Sequence, residues 1–582
     1  MAEEKEEIVM TPSKKGKTTH IRIEKRKKLD MGLDDSVEHV GGGKNAGLVV
    51  NKQAEGDDVD LARPQLQIGF NCFLVDQKTE NRMVESRRLK FWYVDGTEYL
   101  DQVTTAYEFF KELVKPENFP RDYVGFIKKC MKQMQRPEYT LAKKVDLEIK
   151  LLDEEDAPLS PGRNAEDIFG LNKEDTRPVE EIVREKMLHI LESAYPNVLE
   201  VEDLIRMVGA DEMVVMQQLS DLKQRDLVRE VETGKVVRHM LEDKTEVQMV
   251  KQMPTIAANQ QPTIAIITAN YGEKLAVDAM MENKTTYVKF KSEGESNVYT
   301  MGYIGEHRVV STKLPAIGHA RAAQISSGNT TTRLLGTFQN IEHVFVVGIA
   351  GGVPHYTDYY KHVRLGDIVI STCDSKGYIY YYCEKVLRNK QGDVQFKMKT
   401  YSPREMDLQR VVEKLQDRIK RRPEKIPWEG YITQGLEILK NQEADFNRPP
   451  PESDRLYMGI GDDNVIEVQH PEAPDSEMDV NQGSPTIRFS PIGSGRFNRS
   501  EQTRMDFVNR HGIMCFDTEF DQVLESIVGN RKDSFMFIRG IADYGDGTRN
   551  KEWGPYAALA AAAMMKAIIR MISNPYLSED ED

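Results

Sequence analysis

The chain has 582 residues, of which 39% are hydrophobic and 30% charged, with a formal net charge of −15. This length exceeds what a single core supports, so several domains are expected. The acid excess argues against nucleic acid as a general partner, and no apolar run approaches the roughly 20 residues of a membrane helix, so no membrane role is expected. Five cysteines (Cys72, Cys130, Cys373, Cys383, Cys515) stand singly. They exclude a disulfide framework and a zinc ribbon, and with a start unlike a signal peptide they point to the cytoplasm.

Residues 1–60 lack periodicity and mix the basic run Lys14–Lys28 with Gly41-Gly42-Gly43 and an acidic patch. A disordered tail is predicted, and the basic run also allows nuclear import. Over 61–155, Leu66–Val75 alternates like a strand, Leu89–Val94 is aromatic-rich, and Tyr107–Val114 and Tyr123–Met134 have helical spacing. A small α+β domain of unknown type follows from this pattern. The Asp-, Glu-, Pro- and Gly-rich stretch 153–175 reads as a linker.

Residues 176–250 read as a winged helix domain. Val179, Ile182, Val183, Met187 and Ile190 share one helical face, shorter helices follow at Val201–Val208 and Val214–Leu222, and the Thr233-Gly234 turn marks a wing. Such a fold suggests DNA, but Pro178–Arg238 holds 8 Lys and Arg against 13 Asp and Glu. The helix that would enter a groove begins Asp211-Glu212, which repels phosphate. Protein docking or a spacer role is expected instead, and nucleic acid is not expected as a partner.

Residues 258–575 have an α/β pattern, and 576–582 form an acidic tail. The apolar run Phe535–Ile541 reads as a buried strand that delivers Asp543 at its carboxyl end, where open α/β sheets place ligand crevices. Glu519, between the apolar Met514–Phe516 and a helix-like segment, is positioned to face the same crevice.

Ile264–Glu273, Tyr299–Gly302, Leu314–Arg321, Val346–Pro354, Arg364–Ser371, Phe446–Pro449, Asp454–Leu456 and the tail follow one another over 262–572. In this order they resemble the purine nucleoside phosphorylase / methylthioadenosine–adenosylhomocysteine nucleosidase superfamily, and within it the phosphorylase-like domains joined to sensor modules. The resemblance implies a mixed central sheet flanked by helices, a purine nucleoside or nucleotide as substrate, no metal or organic cofactor, and homo-oligomers.

It also implies roles. Asp543 matches the acid that protonates the leaving base, a task that suits a buried carboxyl. Glu519 matches the acceptor of the ribose hydroxyls, with Thr518 where relatives carry a methionine. Glu273 matches the acid that orients attacking water, although a solvated loop glutamate fits the residues as well. Ser494 and Gly351 belong to substrate-side loops. Phe497 either stacks on the base or fills the core. Gly318 and Arg321 lie where relatives contact the nucleophile or a phosphate, or else simply open a helix. Arg321, Lys361, His362, Arg364 and Arg496 offer a basic collar for a 5′-phosphate.

Val346-Val347-Gly348 has no arginine where phosphorolytic relatives carry one, which favours water as nucleophile. N-glycosidic hydrolysis is therefore expected. The alternatives are a phosphate-dependent phosphorylase and a catalytically degenerate nucleoside sensor with the winged helix as output.

Overall fold

Long strands that alternate apolar and charged residues build the first of two units, which draws on Met1–Lys173, Pro354–His362 and Glu452–Ser476. The second comprises Glu174–Val353, Val363–Pro451 and Glu477–Asp582. The computed structural model describes residues 6–27, 37–39, 48–51, 63–75, 82–120, 123–152, 177–239, 246–250, 253–254, 256–257, 260–289, 296–315, 321–388, 394–421, 427–461, 464–473, 484–497, 501–518, 520–544, 548–549 and 552–573.

The first unit is a nine-stranded sheet. Across it run Leu456–Gly461, Asn464–Val468, Leu66–Val75, Arg82–Tyr93, Ala142–Leu152, Thr18–Lys27, Glu6–Lys15, Leu48–Asn51 and Val37–His39. Helices Tyr99–Leu113 and Tyr123–Met134 supply Phe109, Phe110 and Phe126, which pack on Phe70 and Phe91 of the sheet.

The disordered tail expected over 1–60 is corrected for its described residues, 6–27, 37–39 and 48–51, and the rest of that stretch lies outside the described residues. Glu6–Lys15 and Thr18–Lys27 pair as an antiparallel hairpin that turns at Gly16, whose φ is 62°. Ile8, Val9, Ile21 and Ile23 are buried. Their alternation is hard to see among lysines and arginines because the polar residues of a half-buried strand occupy its other face. Residues 61–155 are likewise not a complete domain, since strands from both sides of that range finish the sheet.

In the second unit the winged helix domain has helices α1 (Val179–Ala194), α2 (Val201–Val208) and α3 (Glu212–Gln224). Val183, Met187, Leu191, Leu204, Val215 and Leu219 form its core. Gly209 ends α2 in the left-handed region, and the Asp211 side chain caps α3 by accepting the Met213 N–H at 2.9 Å. The wing is the antiparallel pair Val228–Glu232 and Lys235–Arg238.

The α/β part has a 14-stranded mixed sheet. Its centre holds β1 (Ile264–Thr268), β2 (His307–Lys313), β3 (His343–Gly352), β4 (Ile368–Ser371) and β7 (Ser534–Tyr544), with the short β5 (Ile492–Gly495) and β6 (Cys515–Phe516) at the crevice edge. Strand β1 lies parallel to β2 and β3, β3 parallel to β7, and β7 antiparallel to β4. Helices α4 (Tyr271–Ala279) and α5 (Arg321–Thr337) follow β1 and β2, and α6 (Trp553–Ser573) follows β7. The near-continuous burial of β3 and β7 is what parallel strands covered on both faces require.

Within α6, Trp553–Ile572 is long and apolar enough to cross a bilayer, correcting the expectation that no stretch reaches that length. It is 83% buried inside the protein. The alanine run lets it approach closely: a Cβ on Gly540 of β7 would meet the Ala557 carbonyl oxygen at 1.9 Å.

Candidate functional site

The parallel strands β1, β3 and β7 lie side by side; β1 ends near Val347 of β3, while β3 and β7 run on together to Gly352 and Tyr544. The turn after β1 leads into α4, where Glu273 is the third helical residue and is buried. Its Oε2 accepts the N–H groups of Ala269 at 2.7 Å and Asn270 at 2.9 Å, the return half of a capping box. Its Oε1 accepts the Ile349 N–H of β3 at 2.9 Å and Asn270 Nδ2 at 3.2 Å. The carboxylate lies flat on Gly348, where a Cβ would sit 2.4 Å from its Cδ. Gly348 therefore leaves the space that Glu273 fills.

Asp543 lies at the end of β7, opposite Gly351 of β3. The register slips between Ala350 and Gly351, so Ala542 is an extra residue on β7. Such a bulge re-aims the side chain that follows, and Asp543 is half-buried although the strand before it is buried throughout.

A third acid, Asp517, follows β6, which pairs with Gly351 and Gly352. Its N–H donates to the Gly493 carbonyl at 2.8 Å, and its Oδ2 pairs with Arg539 Nη2 at 2.5 Å. Both side chains are almost fully buried. Burial pushes the Asp517 carboxyl up to about 6 against the pull of the Arg539 charge, and Glu273 pushes the same way. Phe520 and Phe537 flank the guanidinium at 4.6 and 5.3 Å.

The remaining candidates divide. Ser494 is buried, and its hydroxyl donates to the Thr518 carbonyl at 3.0 Å, joined there by the Tyr380 hydroxyl at 3.2 Å. Ser494 thus pins the turn carrying the exposed Thr518. Phe497 packs against Phe507 and Phe516 at 5.1 and 5.3 Å, beside Val353 and Ile513, as a partly buried member of an aromatic cluster. Arg321 opens α5. Glu519 and Gly318 lie outside the described residues. Lys361 and His362 belong to the first unit, where His362 Nε2 lies 2.9 Å from His470 Nδ1.

Sequence reasoning gave no role to Arg539 or to Asp517. One signal was available: Arg539 is the lone charge in the apolar run Phe535–Ile541, and such a charge needs a buried partner. Among the described residues, no group of three or more His, Cys, Asp or Glu side chains is placed to hold a metal ion.

Residues 173–240 match the winged helix-turn-helix domain family. The chain is 27% identical over 331 residues to a nucleotide-binding leucine-rich repeat (NLR)-like protein of Hyaloscypha variabilis, covering 54% of this chain and 30% of that relative's length. Among solved structures it is similar to a 5′-methylthioadenosine/S-adenosylhomocysteine nucleosidase from Neisseria meningitidis, with 16% identity and a TM-score of 0.32. That match covers 53% of this chain and 99% of that one. It is also similar to the futalosine hydrolase of Helicobacter pylori, with 12% identity, a TM-score of 0.33 and coverage of 54% and 99%.

Proposed function

We infer that the second unit cleaves the N-glycosidic bond of a purine nucleoside or nucleotide, with water as nucleophile, and releases the free base. One observation carries this reading. Glu273 on Ile349, Asp543 opposite Gly351 and Asp517 beyond β6 all gather at the carboxyl end of β3. That end of an open α/β sheet is the usual ligand crevice.

Losing a purine requires a proton donor at the base, support for the sugar as it becomes cationic, and a nucleophile on its other face. Asp543 fills the first role. Glu519 fills the second, since its bonds to the ribose hydroxyls strengthen as positive charge develops. Glu273 orients the water. All four of its hydrogen bonds come from N–H donors, so one must yield, and the longest, from Asn270 Nδ2, gives way first.

Water is favoured over phosphate because Val346-Val347-Gly348 places no arginine beside Glu273. The charge of Arg539, whose Nε and Nη1 lack hydrogen-bond partners among the described residues, is already balanced by Asp517. A buried phosphate dianion needs an uncommitted guanidinium. Self-association and a cytoplasmic site of action belong to the same reading.

A second reading, a nucleoside-binding sensor without turnover, is favoured by the filled acceptors of Glu273. One experiment tests both. The full chain is incubated with a panel of purine nucleosides and nucleotides in exhaustively dialysed buffer, with and without phosphate, and followed by chromatography. Free base and a reducing sugar without added phosphate are expected. Ribose 1-phosphate formed only with phosphate would make it a phosphorylase, and tight binding without base release would make it a sensor.

A further inference from the structure

The turn carrying Glu273 is gripped from outside the sheet. Tyr271, two residues before Glu273, is buried, and the Tyr195 ring meets it edge-on with centroids 5.5 Å apart. Tyr195 caps the C-terminus of α1 in the winged helix domain. The Arg238 guanidinium, from the last residue of the wing, sits 5.0 Å from the same Tyr271 ring.

Arg238 is itself fixed. Its Nε donates to Glu192 at 3.1 Å, and its Nη1 to the Leu227 and His239 carbonyls at 2.8 and 2.7 Å.

A second grip comes from β2. Lys313 is buried, and its ammonium donates to the carbonyls of Ser193 at 3.2 Å, Tyr195 at 2.8 Å and Leu314 at 3.0 Å. Leu314 N–H in turn donates to the Thr268 carbonyl at 2.8 Å, at the start of the Glu273 turn. Burial pulls Lys313 down to about 7, while Glu273 and Glu192 pull it back up. The ammonium thus lies within electrostatic reach of an acid on each side of the junction.

We propose that the winged helix domain is an intramolecular clamp on the Glu273 turn, with Tyr195, Arg238 and Lys313 as positioning residues. Two unrelated contacts, a ring packed on Tyr271 and an ammonium tied to the end of α1, hold one five-residue turn. A helix end buried against a loop fixes that loop only while the helix stays docked. Whatever lifts the winged helix domain therefore loosens Ala269–Glu273. This gives the domain a use that needs no DNA, in keeping with its acidic surface.

The expected rate effect rests on the catalytic reading above; the exchange measurement does not. Hydrogen–deuterium exchange is read on the full chain for wild type, Arg238→Ala, Lys313→Met and Arg238→Lys. In wild type, the amides of Ala269, Asn270 and Ile349 should exchange with the same protection as those at the end of α1, as one opening unit. In Arg238→Ala and Lys313→Met they should exchange at least about tenfold faster, with β7 amides unchanged and Arg238→Lys recovering most of the protection. The same two variants should lower kcat about tenfold with KM nearly constant, since a displaced Glu273 acts on the chemical step.

If the end of α1 loosens while the 269–273 amides keep their protection, the clamp is wrong. If a variant fails to fold, the wild-type comparison decides: unequal protection at the two places overturns the proposal. If no base release is found with any protein but the exchange pattern holds, the clamp stands and the hydrolase reading falls.

Discussion

Gly348→Ala tests the centre of the candidate site without removing a functional group. The new methyl would lie 2.4 Å from both Cδ and Oε1 of Glu273 and 2.7 Å from Oε2. A carboxylate held by four N–H donors is not the loose end of a flexible side chain, so it must be pushed off some of them. Forcing a methyl into packed space costs about 1–3 kcal/mol, and losing a hydrogen bond to a charged acceptor about 1.5–3 kcal/mol. With one bond lost, the second unit should be destabilised by roughly 3–6 kcal/mol. That should lower its thermal midpoint by roughly 10 °C in a fluorescence melt. Base release should fall with it, because the carboxylate no longer meets Ile349. Gly430→Ala is the control: nothing lies within 4 Å of its Cβ in the exposed face of a helix, so the change should be neutral or slightly stabilising. A Gly348→Ala protein that melts like wild type and turns over normally would refute the packing argument.

Asp543→Asn should reduce base release about 10²–10⁴-fold in a protein that still folds, because an amide cannot donate the proton; near-normal turnover would remove Asp543 from the mechanism. Asp517→Asn leaves the Arg539 charge buried without its counter-ion, and breaking such a pair costs about 3–5 kcal/mol. Urea denaturation should record that loss, and a variant as stable as wild type would show the pair to be dispensable. The full chain should show no salt-sensitive affinity for duplex DNA in an anisotropy titration, and micromolar binding that weakens steeply with salt would overturn the protein-docking reading of the winged helix.

The second unit was largely legible because its central strands are covered on both faces and read as unbroken apolar runs, such as Phe535–Ile541. The winged helix domain showed itself through one helical face and a glycine turn at Gly234. The site was only half legible. Asp543 stood out at a strand end, but the bulge just before it depends on strand pairing, which a linear reading does not contain. Glu273 was visible as a loop acid, whereas its fit on Gly348 joins residues 75 positions apart. Nothing in the sequence singles out Lys313, whose burial follows from its bonds to the docked end of α1. The first unit misled because its partners are remote: Ile21 and Ile23 take their meaning from Val145 and Leu147 nearby in the sheet, and the outer hairpin comes from beyond residue 450.

That remote hairpin has a consequence for biosynthesis. Asn71 is bonded to Glu467 across 396 residues of chain. At about 5–20 residues per second, the ribosome needs roughly 20–80 s to deliver Asn464–Val468 after Leu66–Val75 has emerged. Throughout that interval one border of a nascent sheet presents open backbone donors and acceptors, with Phe70 and Cys72 beside them, a template for pairing with the wrong chain. Newly made protein should therefore need a holding chaperone until the hairpin arrives, and truncation before residue 464 should yield an aggregating product rather than a soluble fragment.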